Sequence, residues 1–249
     1  MEPLFWQFVI VGFVAQMIDG ALGMAYGVSS NAFLLSLGLP PAVASASVHL
    51  AEVFTTAVSG ASHWRMGNID RALVKRLMIP GVIGGMTGAY ILSSIDGDVI
   101  KPWLSAYLAA MGVYILWKAL RGQVKEGVVT PPRHISLLGL FGGFVDAIGG
   151  GGWGPVVTTT LVARGNSPRK TVGSVNLSEF AVTLAQSVVF FLTLGTVHWQ
   201  VVAGLLLGGI IAAPSGAYLV RRVPARALMS FIGVLIIGLS VRTIVLAIR

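Results

Sequence analysis

The stretch D-A-I-G-G-G-G-W-G-P, Asp146 to Pro155, decides how this chain is read. Four consecutive glycines follow an aspartate, and apolar residues flank the run on both sides. No G-K-[ST] follows and no βαβ pattern surrounds it, which excludes a nucleotide-binding loop. A floppy linker does not belong inside a hydrophobic tract. The run therefore reads as the point where two short helices meet inside a membrane.

Composition places the rest of the chain there too. Of 249 residues, 55% are hydrophobic and 10% charged, with mean hydropathy +0.84. A soluble domain carries about 25% charged residues, so this is an all-α polytopic membrane protein. The net charge of +8 suggests nucleic acid, but the basic residues are confined to short clusters between apolar segments, and no nucleic-acid partner is expected. The chain has no cysteine, which excludes disulfides and thiolate metal sites. No cofactor is implied. The N-terminal M-E-P-L-F-W lacks a basic leader region and reads as the start of the mature protein.

A spanning helix needs roughly 20 apolar residues. Candidates are 43–62, 77–95, 101–117, 171–194, 200–220 and 227–248. Two tracts, 5–38 and 135–163, are too long for one span and are interrupted by an aspartate followed by glycines. Basic clusters at 65–76, 118–133, 164–170 and 221–226 hold all but Lys101, Arg242 and Arg249 of the 17 Lys and Arg. Setting these clusters in the cytoplasm puts both termini outside. Tract 135–163 then enters and leaves from the cytoplasm, and 5–38 from outside. Arms 135–148 and 153–163, about 21 and 17 Å long at 1.5 Å per residue, would each fall short of a full span.

Sliding the chain by 127 residues aligns the two odd tracts. Asp19, Gly23, Tyr26 and Gly27 fall on Asp146, Gly150, Trp153 and Gly154. A-S-V-H-L-A-E (Ala46–Glu52) falls on G-S-V-N-L-S-E (Gly173–Glu179), and G-A-Y at 88–90 meets G-A-Y at 216–218 with one further residue of shift. The basic loop at 65–76 has an uncharged counterpart at 195–199, so the halves are expected to be inverted in the membrane. The fold expected is two inverted repeats, each a broken or re-entrant helix pair plus three transmembrane helices. Residues 1–118 form the first repeat, 119–134 a basic cytoplasmic linker and 135–249 the second.

Four carboxylates fall in membrane segments as two repeat-related pairs, Asp19 with Asp146 and Glu52 with Glu179. Intramembrane carboxylates are costly and mark pathways or proton sites; alternatively, those beside the breaks cap broken helix ends. His49 and Asn176 lie one turn before the glutamates, as hydrogen-bonding struts or as part of a site. No Lys or Arg lies deep in a span, so an anion would rely on helix N-termini. Gly20, Gly23, Tyr26, Gly149, Gly150, Gly151, Gly152 and Trp153 are the expected backbone donors, with Ser47, His49, Ser174 and Asn176 adding side chains. Glu52, Glu179, Asp19 and Asp146 would serve proton coupling or gating. Glycines 81, 84, 85 and 88 recur at helical spacing and suit close helix contact.

The duplicated tracts D-G-A-L-G-M-A-Y-G and D-A-I-G-G-G-G-W-G-P, each followed by S-V-x-L-x-E, resemble the TauE/SafE family of bacterial sulfite exporters. The resemblance covers nearly the whole chain. It implies a multi-pass protein of the bacterial inner membrane that moves sulfite, an organosulfonate or a related sulfur oxyanion. In the first copy Leu22, Met24 and Ala25 replace glycines, so the half-sites should be unequal, with the second favoured. Competing readings are a proton-coupled importer, a cation transporter using the carboxylates, and an intramembrane serine protease. The protease would pair Ser215 with a base, but His198 lies about 25 Å away along the same helix.

Overall fold

The computed structural model describes residues 3–22, 24–121, 132–164, 166–219 and 225–248. Gly23, the middle of the linker, and Arg221 and Arg222 therefore lie outside the described residues. Within them all regular structure is helical. The order is α1 (Pro3–Leu22), α2 (Tyr26–Ser36), α3 (Pro41–Arg65), α4 (Arg71–Ser94), α5 (Gly97–Arg121) and α6 (Pro132–Gly149). A π-helical turn (Trp153–Thr158) then leads into α7 (Thr159–Ala163), followed by α8 (Pro168–Leu194), α9 (Trp199–Leu219) and α10 (Ala225–Ile248).

Local chemistry sets these boundaries. Pro41 and Pro168 occupy first-turn positions, where the missing N–H costs nothing. Asp70 caps α4, its Oδ1 accepting from the amides of Ala72 and Leu73 at 2.9 and 3.2 Å. Gly195 ends α8 at φ 67, the left-handed conformation that glycine takes without strain. The Arg242 guanidinium donates to the Ser36 carbonyl at the end of α2.

Both odd tracts are helix–break–helix units. Helix α6 runs 18 residues from Pro132, about 27 Å, and so is longer than the expected arm 135–148. The linker ends are helical as well, with 119–121 continuing α5 and 132–134 opening α6. Helices α3, α4, α5, α8 and α10 are long and apolar enough to cross a membrane. Their outer faces carry side chains such as Trp103, Leu192 and Val58, which are exposed and suit lipid.

Contacts exchange between the halves. Helix α1 packs on α9 and α6 on α4, while α3 pairs with α8 and α5 with α10. Gly12 of α1 lies where an added Cβ would come within 2.2 Å of the Leu205 carbonyl, and Gly139 of α6 within 2.7 Å of the Leu77 carbonyl. Positions 12 and 139 lie 127 residues apart and positions 77 and 205 lie 128 apart, the offsets at which the two tracts align in the sequence. Gly84 and Gly88 of α4 meet the carbonyls of Leu140 and Phe144 on α6, and Gly85 meets Gln186 of α8. These glycines serve close helix contact, as their spacing predicts.

Element ends sort into two groups. At one, the end of α2 and the start of α5 meet the C-terminal part of α10, and the start of α3 meets the start of α5 and faces the end of α8 and the start of α9. At the other, the start of α8 meets the segment after α3, and Arg226 donates to the Ala119 carbonyl at the end of α5. The basic residues 65–76, 118–121 and 226 belong to this second end. There Arg71 and Arg121 lie over the rings of Trp64 and Trp117, at 5.1 and 4.4 Å from the ring centres.

Candidate functional site

The two helix breaks meet backbone to backbone. A Cβ on Gly27 would lie 2.6 Å from Gly151 Cα, and one on Gly151 would lie 2.2 Å from the Gly27 carbonyl carbon. Each glycine of the run has its own close neighbour. Gly149 and Gly152 lie against the Tyr107 ring and hydroxyl, and Gly150 against the Asn31 amide. Gly150 and Gly151 also take φ values of 62 and 144, where a Cβ strains the backbone. Asn31 Nδ2 donates to the Gly149 carbonyl at 2.6 Å, which ties α2 across to the second break.

Asp146 organises that break. Its Oδ1 accepts from the amides of Gly152 and Trp153 at 2.7 and 2.9 Å. Its Oδ2 meets His49 Nε2 and Gln186 Nε2, both at 3.1 Å. The His49 ring is held from behind by the Ser45 carbonyl, 2.7 Å from Nδ1. Asp146 thus caps the helix beyond the glycines and joins it to α3 and α8. In the first break, Asp19 lines the same cavity as Tyr26. For Asp146, the capping of a broken helix end is the geometry observed. The amides of residues 151–153 are engaged by Asp146 through its side chain and its carbonyl.

Between the breaks lies a cavity of about 10 Å³, the room of a single water. Asp19, Glu52, Asp146 and Glu179 all line it, together with Tyr26, Gly27, Gly151 and Gly152. All four intramembrane carboxylates therefore converge on one point. Glu52 Oε2 and Asn31 Oδ1 are buried without a hydrogen-bond partner among the described residues. Glu52 Oε1 would sit 2.9 Å from a Cβ on Gly27.

Several expected donors are placed elsewhere. The Trp153 amide stays at the break on Asp146, but its indole is fully buried, donates to the Val175 carbonyl at 3.3 Å and packs on Gly81 as a core strut. Ser174 Oγ accepts from the Asp70 amide at 2.8 Å, at the basic end of the bundle. Asn176 Nδ2 donates to Ser59 Oγ at 3.0 Å, and Ser47 Oγ to the Val43 carbonyl of its own helix at 2.8 Å. Gly20 is helical within α1. Asn31, Tyr107 and Gln186 surround the site, although the sequence pattern did not single them out. Gln186 lies two turns after Glu179 on α8, a spacing that could have exposed it.

Comparison with known proteins gives a family and several relatives. Residues 8–243 match the family described as Sulfite exporter TauE/SafE. The chain is 47% identical over 248 residues to the "Probable membrane transporter protein YtnM" of Bacillus subtilis, covering 96% of this chain and 82% of that protein. It is 28% identical to a "Probable membrane transporter protein" of Haemophilus influenzae, covering 84% of this chain and 82% of that one. A Sinorhizobium relative named "Probable membrane transporter protein ORF9" is 25% identical, with 94% of this chain and 89% of that one covered. No solved structure matches. With paired helix breaks, a buried carboxylate cluster and this match over nearly its whole length, the chain belongs to the TauE/SafE sulfite exporter family and is a multi-pass membrane transporter of the bacterial inner membrane, not an enzyme.

Proposed function

We propose that the protein is a secondary transporter exporting sulfite or a related sulfur oxyanion or organosulfonate, bound between the two helix breaks. The observation that carries this is the convergence of both breaks and all four intramembrane carboxylates on one small cavity. The halves act as inverted repeats, 1–118 and 135–249, joined by 119–134. Support comes from the exchanged contacts and from the gathering of basic residues at one end.

An anion entering this cavity meets carboxylates, so charge has to be balanced there. Glu52 and Glu179, repeat partners on α3 and α8, do this as carboxylic acids, which donate to an oxyanion where carboxylates would repel it. The orphaned Glu52 Oε2 supports such a proton-carrying role. Asp19 and Asp146 gate the site by capping: the anion displaces a cap to reach the helix N-terminus. A monoanion leaving a cell that is negative inside gains about 2.3 kcal/mol per 100 mV, so export needs no further coupling. Import would.

Flux in proteoliposomes, compared for sulfite, sulfoacetate and divalent cations, tests the substrate class. Sulfur-anion flux is expected, and flux of divalent cations alone would replace this reading with cation transport through the same carboxylates. Replacing both glutamates (Glu52→Gln and Glu179→Gln) is expected to keep anion flux and remove its pH dependence. Unchanged pH dependence would remove their proton role.

A further inference from the structure

The two ends of the α3–α8 pair are built from the same repeated sequence but differ in form. At the basic end the contact is closed. An added Cβ on Gly173 would come within 2.4 Å of the Asn68 carbonyl, and one on Gly60 within 3.2 Å of Leu177 Cα. Ser174 Oγ holds the Asp70 amide at 2.8 Å. The opposite end has Ala46 for Gly173, Ser47 for Ser174, Leu50 for Leu177 and Ser187 for Gly60, all at the 127-residue offset. After the extra residue of shift, Thr196 stands for Asn68 and His198 for Asp70. These six residues line an open groove of about 300 Å³. Ser47 Oγ turns back to its own helix there, and Ser187 Oγ is buried without a partner among the described residues.

Resting on the inverted-repeat reading above, we propose that these repeat-related contacts are the transporter's two gates, seen in opposite states. In the alternate conformation Ser47 takes the amide of His198, Ser187 approaches Leu50, and Ser174 releases Asp70. The groove is lined mainly by apolar side chains, so it is the room into which helices move rather than the path of the anion. Sequence sets the bias between the states. Gly173 and Gly60 let backbones meet at the closed gate, whereas the Ala46 methyl and the Ser187 side chain occupy the equivalent space at the open one. The protein therefore rests with its basic end sealed.

The chain has no cysteine, so paired cysteines report each gate directly. One pair is Asp70→Cys with Ser174→Cys, the other Ser47→Cys with His198→Cys. Under oxidation in membranes without substrate, the first pair is expected to form its disulfide about tenfold faster than the second. Adding Gly173→Ala should narrow that ratio by slowing the first pair and speeding the second. Either disulfide should block sulfoacetate flux, and reduction should restore it. The pair Ser59→Cys with Asn176→Cys, at another contact of the sealed end, should behave as the first pair does. Equal rates unaffected by Gly173→Ala, or flux that continues with the 70–174 disulfide fully formed, would overturn the gates. Cross-linking rates need no substrate. A protein that cross-links as expected but moves no sulfur anion supports the gates and removes only the substrate.

Discussion

Gly151 and Gly38 both take positive φ, 144 and 93, yet alanine at the two positions should have very different effects. At Gly38 nothing lies within 4 Å of the added Cβ, so Gly38→Ala carries only backbone strain, about 1 kcal/mol. At Gly151 the same Cβ would overlap the backbone of Gly27 and Val28 at 2.2 Å, forcing the two breaks apart. Gly151→Ala is expected to abolish flux and sharply reduce folded yield in detergent; wild-type flux from this variant would contradict the backbone contact. Asp146 offers a second test. Asp146→Ala leaves the buried Gly152 and Trp153 amides unpaired, at roughly 2–4 kcal/mol. Asp146→Asn keeps an acceptor for them and should cost less, an order that thermal unfolding in detergent measures. At this scale the sequence showed which residues were unusual but not which partners they would take. The aspartate beside the glycines was legible, and so was the alternative that it caps a helix. The place of the Trp153 indole was not, because an aromatic in a glycine-rich break looks the same whether it faces a cavity or fills the core against Gly81. Ser174 and Asn176 were misplaced for a related reason. One turn of helix carries a residue about 5 Å along the axis, which separates the cavity from the contact at the basic end.

Helix contacts through glycine obey a simpler rule, and the sequence announced them. Small residues at helical spacing let backbones approach where lipid gives no hydrophobic drive, and Gly84 and Gly88 do this between α4 and α6. Position still matters within one helix type. A Cβ on Gly84 would lie 2.0 Å from the Leu140 carbonyl, whereas one on Gly209 of α9 would meet nothing closer than 3.7 Å. Gly84→Ala should therefore lower the melting temperature in detergent by several degrees, and Gly209→Ala should change stability by no more than about 0.5 kcal/mol. Equal effects would mean that α4 and α6 are not held at backbone contact. Proline, aspartate and glycine punctuate the helix ends, as at Pro41, Asp70 and Gly195; the expected span 171–194 nearly matches α8, whereas α4 begins at Arg71 rather than at the expected 77 because its first turn is basic. The length of α6 was not legible, since its first turn, Pro132-Arg133-His134, is polar and hydropathy registers only the apolar residues from Ile135 onward.

At the scale of the whole molecule, the grouping of element ends gives the membrane orientation something to act on. Described basic residues at 65–76, 118–121 and 226 share one end through contacts between distant helices, while Lys101 and Arg242 lie with the end of α2 at the other. An excess of Lys and Arg is retained in the cytoplasm, so the first end should face inward. Exposed positions are available at both ends: Met66 and Lys170 at the basic end, Asp96 and Thr196 at the opposite one. Because the natural chain has no cysteine, each can carry the only thiol in the protein. A membrane-impermeant thiol reagent applied to intact cells should label Asp96→Cys and Thr196→Cys but not Met66→Cys or Lys170→Cys; after permeabilisation all four should react. Labelling of the reverse pair would keep the bundle and invert it in the membrane. Labelling of one residue from each pair would break the inversion itself, because repeat-related loops such as 65–70 and 195–198 have to open on opposite sides for the halves to exchange roles.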